Sequence, residues 1–184
     1  MTLLPNENPD AIFPTDLLEK DTPGKPWRIA HVKSRREKAL AGFLAKKGIG
    51  YYLPMVTRRQ RSGTNRVRYS LVPVFPGYIF LKTDDNDRHT ALRTNHIARF
   101  IDVPDPETLV YELKQIRTAL DGDMPVYPVE FFTVGQRVRI KKGPMKDVEG
   151  VITRKGTKYR LVLSVTAIAQ SVSVELDEDM VERL

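Results

Sequence analysis

The 184-residue sequence has no cysteine, few histidines and no long apolar run. The absence of cysteine excludes disulfide bonds, thiolate metal sites and a cysteine nucleophile. No stretch approaches the roughly 18 apolar residues that a membrane-spanning helix needs, so we expect no membrane insertion. Residues 1–26 lack a basic start followed by an apolar core, which is the pattern of a secretory signal. We therefore expect a cytoplasmic protein.

The three histidines do not form a metal site in the sequence pattern. His89 and His96 are seven residues apart, which is about 10.5 Å along a helix and too far for a shared metal. His31 is remote in sequence from both. No HExxH, GxSxG or phosphate-binding glycine loop is present either. We expect no enzymatic activity and no cofactor.

Three aspartates, Asp84, Asp85 and Asp87, resemble a metal cluster. Aspartate at the start of a helix also caps free N–H groups and interacts favourably with the helix dipole, and this interpretation is favoured. We therefore expect no metal site. A metal-dependent nuclease that uses these carboxylates is the remaining enzymatic alternative, and the absence of Mg²⁺-stimulated cleavage would exclude it.

Positive charge is concentrated in the middle of the chain. Lysine and arginine number 30 against 23 acidic residues, a net charge of +7. Residues 1–26 hold 2 basic and 5 acidic side chains, residues 27–120 hold 18 and 8, and residues 121–184 hold 10 and 10. A basic block between acidic and neutral flanks favours a surface that binds nucleic acid. The alternative is a basic face that only contacts water.

An arginine cluster lies within the basic block. Residues 62–65 read Ser-Gly-Thr-Asn, which is typical of a turn, and the flanks 51–57 and 67–72 are rich in β-branched and aromatic residues. The pattern predicts a hairpin with arginines near its tip, and guanidinium groups suit phosphate oxygens. The alternative is an exposed turn that only keeps these charges in water. The predicted nucleic-acid-binding residues are Arg58, Arg59, Arg61, Arg66 and Arg68.

The order of periodic segments predicts two domains. Residues 1–26 are acidic and proline-containing and are expected to form a disordered or loosely docked extension. Residues 27–120 predict the order β-α-β-β-β-α-β-α, an α+β domain with helices on an antiparallel sheet. Residues 121–130 carry turn formers and predict a linker. Residues 131–184 contain only short β-patterned runs and predict a small all-β, SH3-like barrel.

The first predicted helix has a recognisable start. Ser34-Arg35-Arg36-Glu37 fits a capping box, in which the serine and glutamate side chains bond the first free N–H groups of the helix. Apolar residues then recur at intervals of three and four, as a helix packed on a sheet requires.

Two motifs carry a family resemblance. Val134 to Ile140, followed by Gly143-Pro144-Met145 and Gly150-Val151-Ile152, resembles the KOW motif of NusG-type transcription factors and several ribosomal proteins. Val74-Phe75-Pro76-Gly77-Tyr78-Ile79-Phe80 resembles the FPGY segment of the NusG amino-terminal domain. In this order and at this separation, they identify residues 27–184 as similar to the NusG family.

The resemblance implies a transcription elongation or antitermination factor that acts as a monomer. In that family the amino-terminal domain binds the clamp helices of the largest subunit of RNA polymerase. The alternative for each matching side chain is packing in the core, and this is favoured for Trp27. The residues that this role assigns here are Trp27, Phe75, Pro76, Tyr78 and Phe100.

Specialised RfaH-like paralogs in the family use the hairpin to contact non-template DNA. Residues 53–57 and 72–76 on either side of the hairpin look closer to those paralogs than to the housekeeping form. The resemblance therefore implies that the arginine cluster faces non-template DNA. Tyr69 and Gln60 are candidates for stacking or base contacts.

The carboxy-terminal domain of the housekeeping form recruits Rho or a small-subunit ribosomal protein through a Phe-Gly-Arg loop. Here the loop reads Ala167-Ile168-Ala169-Gln170. Ile168 keeps an apolar side chain, whereas Gln170 loses the charge, so a ribosomal protein is the expected partner and Rho is disfavoured. Residues 159–176 are β-branched and alternate, which predicts strands and not a helical hairpin. A KOW-type protein that binds ribosomal RNA is the alternative function.

Overall fold

A computed structural model describes residues 8–61, 67–122, 126–129, 137–140, 144–155, 158–176 and 181–183. Within these ranges the chain forms three helices and thirteen strands, and every strand pairing is antiparallel. Contacts in space divide the chain into two compact units, Met1–Pro106 and Glu107–Leu184. No helix in the described ranges is long and apolar enough to cross a membrane.

The first unit is built on an antiparallel sheet with two helices. Its main sheet has five strands in the order β1-β3-β6-β2-β7, and β4 and β5 form a separate two-stranded hairpin. The strands are β1 Ile12–Phe13, β2 Trp27–Val32, β3 Gly50–Tyr52, β4 Met55–Arg61, β5 Val67–Pro73, β6 Tyr78–Lys82 and β7 Ile97–Ile101, and the helices are α1 Glu37–Lys46 and α2 Asp85–Leu92.

The second unit contains one helix and a six-stranded sheet in the order β13-β9-β10-β11-β12-β8. Together the two units confirm the predicted fold class of an α+β part followed by a strand-rich part. The elements are α3 Pro106–Asp121, β8 Val126–Val129, β9 Arg137–Ile140, β10 Glu149–Lys155, β11 Lys158–Val165, β12 Gln170–Leu176 and β13 Val181–Arg183.

Helix α3 lies with the second unit, whereas the sequence pattern placed it in the amino-terminal domain. Side chains on α3 explain part of this grouping. The Glu112 carboxylate accepts a hydrogen bond from the Thr166 backbone N–H at 2.9 Å, and the Gln115 side-chain oxygen accepts one from Glu149 N–H at 3.0 Å. Apart from this grouping of α3, the domain boundaries at residues 26, 120 and 130 stay a prediction from sequence.

The core of the first unit lies on the face of the sheet that packs against α1. Alternation along β2 and β6 places Ala30, Ile79 and Leu81 on this face, where they join Leu40 and Leu44 of α1 in one buried cluster. Burying each of the leucine and isoleucine side chains stabilises the fold by roughly 1.5–3 kcal/mol. This packing fixes both the position of α1 and the path of β6.

Residues 8–26 of the amino-terminal segment are packed against the sheet, more closely than the predicted disordered or loosely docked extension. Ile12 and Phe13 pair with β3 at the edge of the sheet, and Leu17 and Leu18 are buried. The acidic, proline-containing composition suggested that this segment could not offset the conformational entropy lost on ordering. Backbone hydrogen bonds to an edge strand and the burial of two leucines offset that entropy loss. Residues 1–7 lie outside the described part of the chain.

The helix starts are partly as predicted. Asp84 caps α2, and its carboxylate accepts a hydrogen bond from Asp87 N–H at 2.8 Å, which confirms the capping interpretation. The capping box at the start of α1 is wrong. That helix begins at Glu37 after an Arg36 cap that makes no side-chain bond, and the Glu37 carboxylate accepts a hydrogen bond from the Gly77 N–H instead of capping the helix.

Candidate functional site

The segment Phe75–Tyr78 forms a tight turn between the hairpin and strand β6. Phe75 is 1% exposed, and its ring meets Phe80 edge-on at a centroid distance of 6.2 Å. The Tyr78 backbone N–H donates to the Phe75 carbonyl oxygen at 3.2 Å, which closes the turn. Phe75 is therefore the internal anchor of the turn, whereas Pro76 is exposed and Tyr78 is half-buried.

Gly77 gives this turn its shape. Its φ of +85° lies in the region that only glycine adopts without strain. The Gly77 N–H donates to the Glu37 carboxylate at 2.8 Å, and its carbonyl oxygen accepts from Val32 N–H at 2.7 Å. The Gly77 peptide groups are thus held by both α1 and the end of β2, and the direction of Tyr78 follows from them.

Tyr78 has an aromatic neighbour that sequence reasoning did not include in the site. His31 is its cross-strand partner, and the two rings lie 5.2 Å apart between centroids. Both side chains are half-buried. Residues directly opposite on adjacent strands interact on one face of the sheet, so the pairing of two separate strands was the missing signal.

The structure does not bring all five predicted polymerase-binding residues together. Trp27 is 7% exposed and pairs with Lys82, four residues and about 13 Å along β6 from Tyr78. Its ring lies 5.8 Å from the Lys82 ammonium group.

Phe100 is half-buried on the core side of the sheet, where Arg88 stacks on it at 5.2 Å. Pro76 and Tyr78 thus form an accessible pair, and Trp27 and Phe75 serve the interior.

The basic hairpin has a defined strand register. Arg58 pairs with Ser70, Arg59 with Tyr69 and Gln60 with Arg68. The Arg58 side chain is exposed, and Tyr69 is 68% exposed, a large value for an aromatic residue. Arg66 and the predicted turn lie outside the described residues, and only the backbone of Arg59, Arg61 and Arg68 is described.

Helix α1 also contacts the base of this hairpin. The Lys38 ammonium group donates to the Leu71 carbonyl oxygen on β5 and to the Asn8 side-chain oxygen at 2.6 Å. Partial burial lowers the pKa of Lys38, and the neighbouring Glu37 carboxylate opposes this shift. Lys38 therefore uses its charge within the fold and is not part of the exposed basic surface.

The predicted partner loop of the second unit has a mixed exposure. Ile168 is 7% exposed at the end of a short 3-10 turn, Thr166–Ile168, and Gln170 is half-buried. The Thr166 hydroxyl and N–H both donate to the Glu112 carboxylate of α3. Ile168 is therefore buried, and a role for Ile168 and Gln170 in binding a partner stays a prediction.

Glu149 at the start of β10 makes polar contacts with β9 and with α3. The Arg139 guanidinium donates to one carboxylate oxygen at 2.9 Å, and the Tyr111 hydroxyl donates to the other at 3.1 Å. The bond from Arg139 holds the pKa of Glu149 below its usual range, with Tyr111 adding to the effect. Glu149 therefore stays ionised and joins β9, β10 and α3.

The described residues contain no group of three or more histidine, aspartate or glutamate side chains that could hold a metal ion. The aspartates of α2 have other contacts. Asp85 pairs with Arg28 at 3.0 Å, and the Lys25 ammonium group lies 2.5 Å from Asp87 and 3.7 Å from Asp84. The capping bond from Asp87 N–H lowers the pKa of Asp84, with a smaller contribution from Lys25. These carboxylates therefore hold the amino-terminal segment and β2.

Comparisons with known proteins agree with this architecture. A family model described as transcription termination factor NusG matches residues 25–117. The transcription termination/antitermination protein NusG of Pseudomonas aeruginosa is 27% identical over 176 residues, covering 87% of this chain and 99% of that protein. NusG of Buchnera aphidicola subsp. Acyrthosiphon pisum is 31% identical over 129 residues, covering 63% and 68%.

Other matches are shorter or structural. NusG of Buchnera aphidicola subsp. Baizongia pistaciae is 31% identical over 122 residues, and the match spans only 64% of that protein. A solved structure described as the domain interaction in Thermotoga maritima NusG aligns with a TM-score of 0.52 at 21% identity. It covers 91% of this chain and 99% of the other, and it supports the fold.

Proposed function

Because this chain belongs to the NusG family of transcription termination factors, we propose that it is a transcription elongation or antitermination factor that binds RNA polymerase. The polymerase contact is the Phe75–Tyr78 turn, and the partner is the clamp helices of the largest subunit. The observation that carries this proposal is the different exposure of the residues in the turn. Phe75 is buried and fixes the backbone, whereas Pro76 and Tyr78 reach the surface. Rigid aromatic residues held in this way are typical anchors of protein interfaces.

The hairpin β4–β5 is the proposed contact to non-template DNA. The exposed side chains of Arg58 and Tyr69 support this role, since one offers a phosphate contact and the other a stacking surface. Arg59, Arg61, Arg66 and Arg68 extend the proposed surface by their positions in the sequence. Three further points remain predictions. They are the recruitment of a ribosomal protein by the second unit, action as a monomer in the cytoplasm, and membership in the RfaH-like group.

Co-elution of the purified protein with core RNA polymerase at moderate salt tests the leading proposal. Tyr78→Ala removes an accessible ring and is expected to weaken the complex. Phe75→Ala is a poorer probe, because deleting a buried phenylalanine side chain costs roughly 3–5 kcal/mol of stability. Leu92→Ala, an exposed apolar change on α2, is the matched control and should co-elute normally. Absence of co-elution by the unaltered protein would overturn the proposal.

A KOW-type protein that binds ribosomal RNA is the competing function. It uses the same basic hairpin but has no use for the Phe75–Tyr78 turn. Replacing the hairpin arginines should flatten the salt dependence of nucleic-acid binding in both cases. Tight, salt-dependent binding to ribosomal RNA without any association with polymerase would favour the competing function.

A further inference from the structure

The first turn of α1 holds both ends of the segment that joins the hairpin to β6. Leu71 lies near the end of β5, and Gly77 immediately precedes β6. Lys38 donates to the carbonyl oxygen of Leu71, and the carboxylate of Glu37 accepts from the N–H of Gly77. Two adjacent side chains on one helix therefore fix two points of the chain that are six residues apart.

Each of these two contacts is made where water is partly or largely excluded. Glu37 is 7% exposed, so its carboxylate depends on protein donors, and a bond from a backbone N–H to a charged acceptor is stronger than a neutral one. Lys38 is half-buried and bonds two oxygens. Neither side chain is accessible enough to serve as a general solubilising charge.

We propose that Glu37 and Lys38 are positioning residues, which set the Phe75–Tyr78 turn and the base of the β4–β5 hairpin relative to each other through helix α1. The inference rests on the proposed function, in which the turn binds polymerase and the hairpin binds DNA. Helix α1 is itself fixed by Leu40 and Leu44 in the core, so it is a rigid reference for both surfaces.

The two residues should have different effects on the two partners. Glu37→Leu removes the acceptor for Gly77 N–H, frees the backbone before Tyr78 and should weaken polymerase association about tenfold. Glu37→Gln keeps a side-chain oxygen at the same reach and should restore most of that loss. Lys38→Met keeps the apolar stem but removes both donated bonds, and should weaken binding to single-stranded DNA more than binding to polymerase.

The experiment measures the affinity of each folded variant for core RNA polymerase and for a fluorescent single-stranded DNA. Lys46→Met is the matched control, because it makes the same substitution as Lys38→Met at an exposed lysine in the last turn of α1, away from either contact. This variant should bind both partners normally. A loss of DNA binding by Lys46→Met equal to that of Lys38→Met, or equal weakening of both partners by Glu37→Leu and Lys38→Met, would overturn the inference.

Hydrogen exchange in the unaltered protein gives a second test that no folding failure can obscure. The Gly77 N–H should exchange slowly, and its exchange should become fast in any folded variant that lacks an acceptor at position 37. Fast exchange of Gly77 in the unaltered protein, or normal polymerase binding by folded Glu37→Leu, would overturn the inference. Failure of the unaltered protein to bind polymerase would overturn the proposed function instead. The exchange rate of Gly77 N–H would then still show whether the contact with Glu37 exists.

Discussion

The hydroxyl of Tyr51 donates a hydrogen bond to the backbone carbonyl oxygen of Asp10 at 2.9 Å. This bond crosses from the central sheet to the amino-terminal segment, which also pairs with β3 through Ile12 and Phe13. The Tyr51 side chain is buried, and its ring stacks with Phe13 at a centroid distance of 6.4 Å. Residues 8–26 are therefore an integral part of the first unit.

Alkaline pH should weaken this connection. Burial, with a smaller effect of the Asp10 carboxylate, raises the pKa of Tyr51 to about 12 from 10.0. The unfolded chain therefore loses this proton first, so the stabilisation is complete below pH 10 and is lost as the pH rises toward 12. This difference in the pKa of Tyr51 corresponds to roughly 2–3 kcal/mol of folding free energy. Denaturant unfolding of Tyr51→Phe should lack this part of the alkaline decline, and an identical decline in both proteins would contradict the assignment.

Truncating Leu17 should destabilise the first unit. One of its methyl carbons lies where a side chain at Gly50 would have to be, at 2.7 Å from the position of such a Cβ atom. Leu17→Ala removes that packing and should cost about 2–4 kcal/mol. The measurement is urea unfolding, with Lys20→Ala at an exposed position of the same segment as the control. If Leu17→Ala unfolds at the same urea concentration as the unaltered protein, the segment does not contribute to the core.

Two glycines should respond in opposite directions to replacement by alanine. A Cβ atom on Gly150 would lie 2.7 Å from the Val162 carbonyl oxygen across the β10–β11 pair, so Gly150→Ala should separate the strands and destabilise the second unit. Gly42 lies within α1 with no atom within 4 Å of such a Cβ, so Gly42→Ala should stabilise the helix by roughly 0.5–1 kcal/mol. Thermal unfolding of both variants tests the contrast, which equal shifts would contradict.

Tyr69 should contribute to single-stranded DNA binding through its ring. Stacking of a base on an aromatic side chain is worth about 1–3 kcal/mol, so Tyr69→Ala should weaken binding at least about fivefold. Tyr69→Phe keeps the stacking surface and should bind nearly as the unaltered protein does. Fluorescence anisotropy with a short oligonucleotide measures both. Equal weakening by the two variants would indicate a role for the hydroxyl group and not for stacking.

Much of the fold was predictable because local patterns determine it. The strand-rich second unit was predicted from its short β-patterned runs and the capping aspartate before α2 from helix-start chemistry, and both are present. The predicted strand 51–57 was wrong in one respect. It is divided at Leu53–Pro54 into β3, which belongs to the main sheet, and β4, which belongs to the hairpin. A continuous β-like composition does not reveal which of two sheets each half joins.

The candidate site was predictable in its motif but not in its geometry. The sequence identified Phe75, Pro76 and Tyr78 together, yet it did not distinguish the buried ring from the accessible one. Alternation places Tyr78 and Phe80 on the same face of β6, and exposure differs between them because of what packs nearby. His31 and Glu37 were missed because they reach the turn from other elements.

The amino-acid sequence alone determined the two-part architecture, the position of the basic hairpin and the resemblance to the NusG family. These depend on periodicity, turn chemistry and charge, which are properties of residues close together in the chain. Only the tertiary structure decided that Ile12 and Phe13 extend the sheet, that Phe75 and Ile168 are buried and that Glu37 bonds Gly77. Burial and hydrogen bonding between residues tens of positions apart depend on how elements pack, and local pattern carries no information about that packing.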